Sequence, residues 1–216
     1  MSISNMSVKE ITDEIKKRLI SLEYRPGQLI KETDLAAEFH VSRTPIREAL
    51  QKLEFDGWVV IRPRNGTYVT EVDLHYLRNA FDLRRMMDHL SLEYAVQYAT
   101  DADIQELYAI GAAIAQAKAA QQSAEYLTQE SFYFRRLIKI HNNVLLQEMF
   151  QNITEKMHRC YNVIFPSEQI KFEHLSGFAS MDAITAAIEQ RDLPEAKRLM
   201  DCYIQSERDL IKQYIL

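Results

Sequence analysis

Two cysteines, Cys160 and Cys202, are all that the 216 residues contain. That is too few to staple a secreted fold, and the pair lacks the spacing of a metal ribbon, so both are expected as buried core thiols. No run of about 18 apolar residues occurs, which predicts no membrane-crossing helix. The opening MSISNMSVKEI has neither the basic start nor the apolar stretch of a secretory signal. A cytoplasmic protein with no membrane partner is the expectation. Catalytic signatures are missing too: there is no glycine-rich phosphate loop, nucleophile elbow or paired-acid signature, and Cys160, His158 and His174 are suitable residue types without an arrangement. An enzyme is not expected.

Nor is there an excess of positive charge, since the net is −5. Its distribution is more informative. Residues 1–72 hold 11 Lys and Arg against 11 Asp and Glu, and the remainder holds 15 against 20. Within the neutral part Arg43, Arg47, Arg62 and Arg64 lie close together, so a basic patch can coexist with an acidic body. With 47% hydrophobic and 26% charged residues, the chain can bury one large core or two smaller ones.

Two regions are predicted, divided after residue 72. In SVKEITDEIKKRLISLEY, Val8, Ile11, Ile15, Leu19 and Leu22 recur at spacings of three and four, the pattern of an amphipathic helix. Pro26 and Gly27 end it. After an extended QLI, KETDLAAEFH predicts a short second helix, and VSRTPIREALQKLEFDGW a third, closed by Gly57. The period then changes: Trp58–Ile61 reads as a strand, Asn65-Gly66 as a two-residue hairpin turn, and Thr67–Thr70 as the return strand. Three helices and a hairpin outline a winged helix-turn-helix. From Asp73 the pattern is helical, predicting six helices at roughly 74–99, 101–122, 124–141, 144–165, 168–191 and 194–215. Asp101, Ser167 and Asp192 with Pro194 are expected as start signals, and alanine-rich AIGAAIAQAKAAQQSA as a closely packing face. The fold class is therefore mainly α, a winged helix-turn-helix followed by an all-α bundle able to hold a cavity between its helices.

The proline of VSRTPIREAL falls in the first turn of a helix whether Ser42 or Thr44 is the cap, where its missing N–H costs nothing. Arg43, Arg47 and Gln51, spaced by four, project opposite Ile46, Leu50 and Leu53. The start of the second helix of a helix-turn-helix enters the major groove, where an arginine can grip a guanine edge or a phosphate. Ser42 and Thr44 add hydroxyls for phosphates, and Arg62 and Arg64 sit where a wing meets the backbone or minor groove.

The stretch ETDLAAEFHVSRTPIREALQKLEFDGWVVIRPRNGTYV closely resembles the DNA-binding domain of the GntR family of bacterial transcription regulators. By position, the resemblance makes Arg43, Thr44 and Arg47 main DNA-contacting residues, Ser42 a phosphate contact and Gly66 the wing-tip glycine. Thr33 stands where some members carry a basic DNA-contacting residue. The helical part resembles the ligand-sensing FCD domain of the FadR-type subfamily through Leu83 and Arg84 in FDLRRMMDH, then FYFRRLIKIHNNVLL and MDAITAAIEQRDLPEAKRLMDCYI. This implies a homodimer on palindromic operator DNA, released or remodelled when a small molecule, often a carboxylate metabolite, fills the bundle.

Many such domains hold a divalent metal through an aspartate and a histidine one turn apart and two later histidines. Ser131, Arg135, Met181 and Tyr203 stand at those four positions, and a fixed cation and a soft thioether do not suit a hard metal. No metal and no cofactor are expected. The six histidines, at 40, 75, 89, 141, 158 and 174, include no i, i+4 pair, and a metal site built from them is the alternative. Arg135 is expected to supply the metal's charge, with Ser131 one turn before it and Arg84 on the apolar stripe of Leu77 and Phe81. Two arginines would favour an anionic effector, with Tyr203 as donor and Met181, Phe178, Ile184 and Ile188 as wall. The opposing reading puts Arg135 or Arg136 in solvent or against Asp88. Across classes the rival is a winged-helix module that binds protein, which Arg47→Ala would leave largely unaffected.

Overall fold

A computed structural model describes residues 6–165 and 181–215, so Pro166, Ser167, His174, Gly177 and Phe178 lie outside the described residues. In chain order the elements are α1 (Val8–Ile20), β1 (Leu29–Ile30), α2 (Glu32–Glu38), α3 (Arg43–Phe55), β2 (Val59–Arg62), β3 (Gly66–Val69), α4 (Leu74–Tyr98), α5 (Asp101–Ala119), α6 (Ser123–Ile140), α7 (Val144–Ile164), α8 (Met181–Glu189) and α9 (Leu193–Ile215). They form two compact units, Met1–Asp73 with His158–Val163, and Leu74–Met157 with Ile164–Leu216.

In the first unit, α1 starts at a capping box in which Ser7 and Glu10 satisfy each other's backbone N–H. Ile11, Ile15 and Leu19 are fully buried against Ile46, Leu50 and Leu53 of α3, as the spacing requires. Each such side chain contributes about 1.5–3 kcal/mol of burial. The sheet has the order β1-β3-β2, so the wing's return strand is central and the short extended piece at Leu29–Ile30 is its third strand. The segment of α7 counted with this unit is tied to it by polar contacts. Arg159 donates to the Thr70 hydroxyl at 3.0 Å and to the Thr70 carbonyl, and Asn162 donates to the Ile20 carbonyl at 2.7 Å.

The hairpin turn departs from the two-residue Asn-Gly expectation. Arg62 pairs with Gly66, which leaves a three-residue loop, Pro63, Arg64 and Asn65. Asn65 N–H donates to the Arg62 carbonyl at 2.9 Å, and Arg64 has φ +67°. Proline presets φ at the first central position of such a turn, and the left-handed residue that follows it here makes the turn type II. Pro63 therefore outweighs the Asn-Gly signal.

The second unit is all helical among the described residues, with α5 and α6 paired as a hairpin and α9 packed on α4 and α8. Leu92, Leu107, Tyr133, Leu137, Ile184, Met200 and Tyr203 are fully buried. The start of α5 is corrected by one residue: Thr100, not Asp101, is the cap, in a capping box with Asp103. Asp192 does cap α9, accepting from Glu195 N–H at 3.0 Å. The alanine-rich face of α5 packs on α8 at Gly111, where an added Cβ would sit 2.2 Å from Asp182 Oδ1.

The scarcity of glycine is compensated at the helix ends. After α2, α5 and α8 the N–H of the second residue past the helix cap reaches back five residues, and His40, Gln121 and Arg191 take φ of +55°, +56° and +60°. This is the Schellman closure, which usually takes glycine; among the described helix ends α3 alone uses one, Gly57, at φ +77°. Arg191 also donates to the carbonyls of Ala95, Val96 and Ala99, so one residue ends α8 and caps α4.

Candidate functional site

Helix α3 begins at Ser42, whose side chain makes no capping bond, and Pro45 stands third in the helix, inside the first turn. Ser42, Arg43, Thr44 and Arg47 are exposed, and the first turn carries no acid. The backbone N–H groups of Ser42, Arg43 and Thr44 and the positive end of the helix therefore face outward beside two arginines, an arrangement suited to a phosphate and a base edge. Burial of Ile46, Ala49, Leu50 and Leu53 on the opposite face holds the helix in this orientation.

The wing adds a second basic surface. The Arg62 guanidinium lies over the Tyr68 ring at 4.9 Å, and the Tyr68 hydroxyl donates to the Asn65 carbonyl at 3.2 Å. Gly66 has φ +108°, so the backbone there favours glycine, and a Cβ would lie 2.7 Å from Leu29 Cδ1 and push that exposed side chain aside. A depression of about 390 Å³ between the wing and the start of α2 is lined by Lys31, Glu32, Arg62, Arg64 and Asn65. It brings Arg62, Arg64 and Gly66 together and adds Lys31, a lone lysine before a short helix that carries no sequence signal of its own. Gln51 is placed differently, in a second depression with Thr12, Glu48 and Phe55. Two helical turns rotate it roughly 80° from Arg43. Thr33 is tied to its neighbour, its hydroxyl donating to Asp34 at 3.0 Å. Arg47 is not solitary: Nε and Nη2 donate to the two Glu32 oxygens at 3.3 and 2.9 Å. That pairing raises the guanidinium's pKa still further.

In the helical unit the five residues expected at an effector site separate. Arg84 is 5% exposed and lies over the rings of Phe134, at 4.4 Å, and Tyr203, at 5.6 Å. It donates to Glu207 at 2.8 Å and pairs with Asp88 at 3.4 Å. Tyr203 donates to Glu130 at 2.5 Å. Ser131 is buried, but Arg135, which donates to it at 2.9 Å, is exposed and stacks on the half-exposed Phe132. One step along a helix turns a side chain about 100°, so Arg135 leaves the face on which Glu130 and Phe134 meet Arg84. The expected pair of inward arginines is not formed. Met181 is buried as a wall residue, and its carbonyl accepts from Tyr133 at 3.2 Å. Arg136 pairs with Asp103 and Glu106. Cys160 is buried as expected, whereas Cys202 is exposed.

The buried group thus sets one guanidinium among three carboxylates, Asp88, Glu130 and Glu207. Burial pushes the Asp88 carboxyl up to about 7, with the Arg84 charge opposing in part. Burial, reinforced by the charge of Glu207, likewise lifts Glu130 to about 7. Glu130 and Glu207 escaped sequence reading because each is one glutamate on a helix with many, and only their alignment at helical spacing with Phe134 and Tyr203 hinted that they face inward. Among the described residues, no three His, Cys, Asp or Glu side chains are placed to hold one metal ion.

Comparison with known proteins identifies the two units. Residues 7–69 match the family "Bacterial regulatory proteins, gntR family", and residues 79–206 match the FCD domain. The Nta operon transcriptional regulator of Aminobacter aminovorans is 28% identical over 91% of this chain and 90% of its own length. Among solved structures, Escherichia coli McbR/YncC superposes with a TM-score of 0.75 at 21% identity, covering 99% of each chain. A GntR transcriptional regulator from Rhodococcus sp. RHA1 does so with 0.71 at 17%, covering 96% of this chain and 98% of that one. These relatives are transcription regulators, not enzymes, and the pairing of the two domains is that of the FadR-type subfamily. The chain belongs to the gntR family of bacterial transcription regulators, with a winged helix-turn-helix that binds DNA followed by an FCD effector-binding domain.

Proposed function

We propose that the protein binds a palindromic operator as a homodimer in the cytoplasm and changes its hold on that DNA when a small molecule fills the helical unit. The observation that carries the reading is the exposed set Ser42, Arg43, Thr44 and Arg47 on an acid-free helix start, with Lys31, Arg62 and Arg64 on the neighbouring wing surface. No described helix is long and apolar enough to cross a membrane. A two-fold dimer would present two α3 helices to successive major grooves, which demands inverted half-sites. Selection from a library of duplexes with a randomised centre, using the full chain, is the test: an inverted repeat should be enriched, and light scattering of the complex should give two chains per duplex. Enrichment of a single, unrepeated half-site by a monomer would overturn the dimer.

The effector site is proposed to work without a metal at the positions that bind one in relatives. Arg135 points outward, and the Tyr203 hydroxyl is engaged by Glu130, so the donor set Ser131, Arg135, Met181 and Tyr203 does not fit a divalent ion. For an anionic effector, Arg84 is the group that offers charge, and it already holds Glu207 and Asp88. An anion binds there by exchange, and a displaced carboxylate in a buried place takes up a proton. Affinity for a carboxylate effector should therefore rise as pH falls from 8 to 6, and calorimetry in two buffers of different ionisation heat should show proton uptake. A ligand that binds with proton release marks a cation instead.

A further inference from the structure

Glu32 is an acid at the centre of a surface that faces a polyanion. It opens α2, lies in the depression with Lys31, Arg62 and Arg64, and is held against Arg47 across the helix-turn-helix. Both partners are substantially exposed, Arg47 at 59% and Glu32 at 29%, so the ion pair adds little to stability. Its geometry has more effect. The two bonds run in parallel from Nε and Nη2 to the two carboxylate oxygens, the fork that fixes the plane of a guanidinium. A guanidinium has a second two-donor edge, formed by Nη1 and Nη2, and this arrangement leaves that edge for a DNA partner.

We propose that Glu32 is a positioning residue that makes Arg47 a reader of guanine, by holding its inner edge so that Nη1 and Nη2 present a flat pair of donors to O6 and N7. The inference rests on the DNA-binding reading above. A phosphate contact needs no such orientation, because a phosphate accepts donors from many directions and any guanidinium rotamer within reach serves. A guanine edge requires two coplanar donors. The carboxylate's own charge repels the DNA backbone and so weakens binding to every sequence alike. Retained on a DNA-facing surface, it raises discrimination at the expense of indiscriminate affinity.

The test compares wild type, Glu32→Ala, Glu32→Gln and Arg47→Ala as full chains in the randomised-duplex selection, followed by titrations of one enriched and one non-enriched duplex across salt. The expected wild-type motif has a guanine in each half-site whose preference vanishes in Arg47→Ala. In Glu32→Ala that preference should fall by about fivefold or more at the same position and nowhere else. Glu32→Gln, which keeps one acceptor and the residue's shape, should lie between. Binding of the non-enriched duplex should hold or strengthen in both Glu32 variants, and the salt slope should be unchanged in Arg47→Ala. Should Glu32→Ala fail to fold, Glu32→Gln carries the comparison. Two results overturn the proposal: a Glu32 variant with the wild-type preference at every position, or an Arg47→Ala that weakens all sequences equally and lowers the salt slope by about 0.9, which makes Arg47 a phosphate contact. A wild type that enriches no sequence is a different failure, because it removes the operator-binding reading itself.

Discussion

In the winged unit Arg43, Arg47, Arg62 and Arg64 are exposed, and Arg47 rests on a half-open carboxylate; in the helical unit Arg84 is enclosed by two aromatic rings and held by Glu207 and Asp88. The difference is the surrounding dielectric. At the surface, water screens a guanidinium, so its pairs are weak and can be exchanged for DNA at small cost. In the interior the same group cannot be left without a counter-charge, and three acids gather around it. The exposed set is available for binding, and the buried set is committed to the fold until a ligand or proton replaces one of its members.

That contrast can be broken at its strongest point. Arg84→Met should cost about 3–5 kcal/mol in urea unfolding at pH 7.5, because it strands buried carboxylates. The deficit should shrink below pH 6 as they take protons; a loss under 1 kcal/mol would mean the cluster is wet. On the other side, Arg43→Ala should leave the unfolding midpoint unmoved while lowering operator affinity between about fivefold and a hundredfold.

The pH dependence of stability sharpens the comparison. Asp88 and Glu130 have folded pKa values raised to about 7, so the folded chain keeps protons that the unfolded chain has released at ordinary carboxylate pH. Stability from these groups is greatest at low pH, declines as pH rises from about 4 to 7, and is level above that. The slope is at most about 1.4 kcal/mol per pH unit for each group. Thermal midpoints measured between pH 5 and 8 should fall with pH in the wild type and less steeply in Asp88→Asn. Equal slopes would remove Asp88 as a proton store. The smallest effect expected is at the turn of the winged motif: His40→Gly relieves a left-handed backbone and should stabilise the first unit by about 0.5 kcal/mol, after the greater freedom of glycine in the unfolded chain is set against it.

Much of the helical layout was legible because burial repeats with the helical period. Ile11, Ile15 and Leu19, or Ile46, Leu50 and Leu53, leave no other way to hide their side chains. The exposed recognition set was legible for the same reason, as the complement of a buried stripe. Turn chemistry was harder to read: Pro63 overrode Asn65-Gly66, and His40, Gln121 and Arg191 took left-handed positions normally given to glycine. Helix closure there depends on packing of the next element, which local propensity does not contain. Arg135 and Cys202 were misjudged because a position one step round a helix changes from inside to outside, and an alignment by resemblance does not carry that angle.

By itself the sequence determined the helix periods, the first-turn proline of α3 and the outward arginines beside it, since these follow from the local geometry of consecutive residues. The partner of each charge was decided only by the tertiary structure. Glu32 meets Arg47 across 15 residues and Glu207 meets Arg84 across 123. Coulomb interactions depend on distance and dielectric in space, and neither is written in the order of the chain.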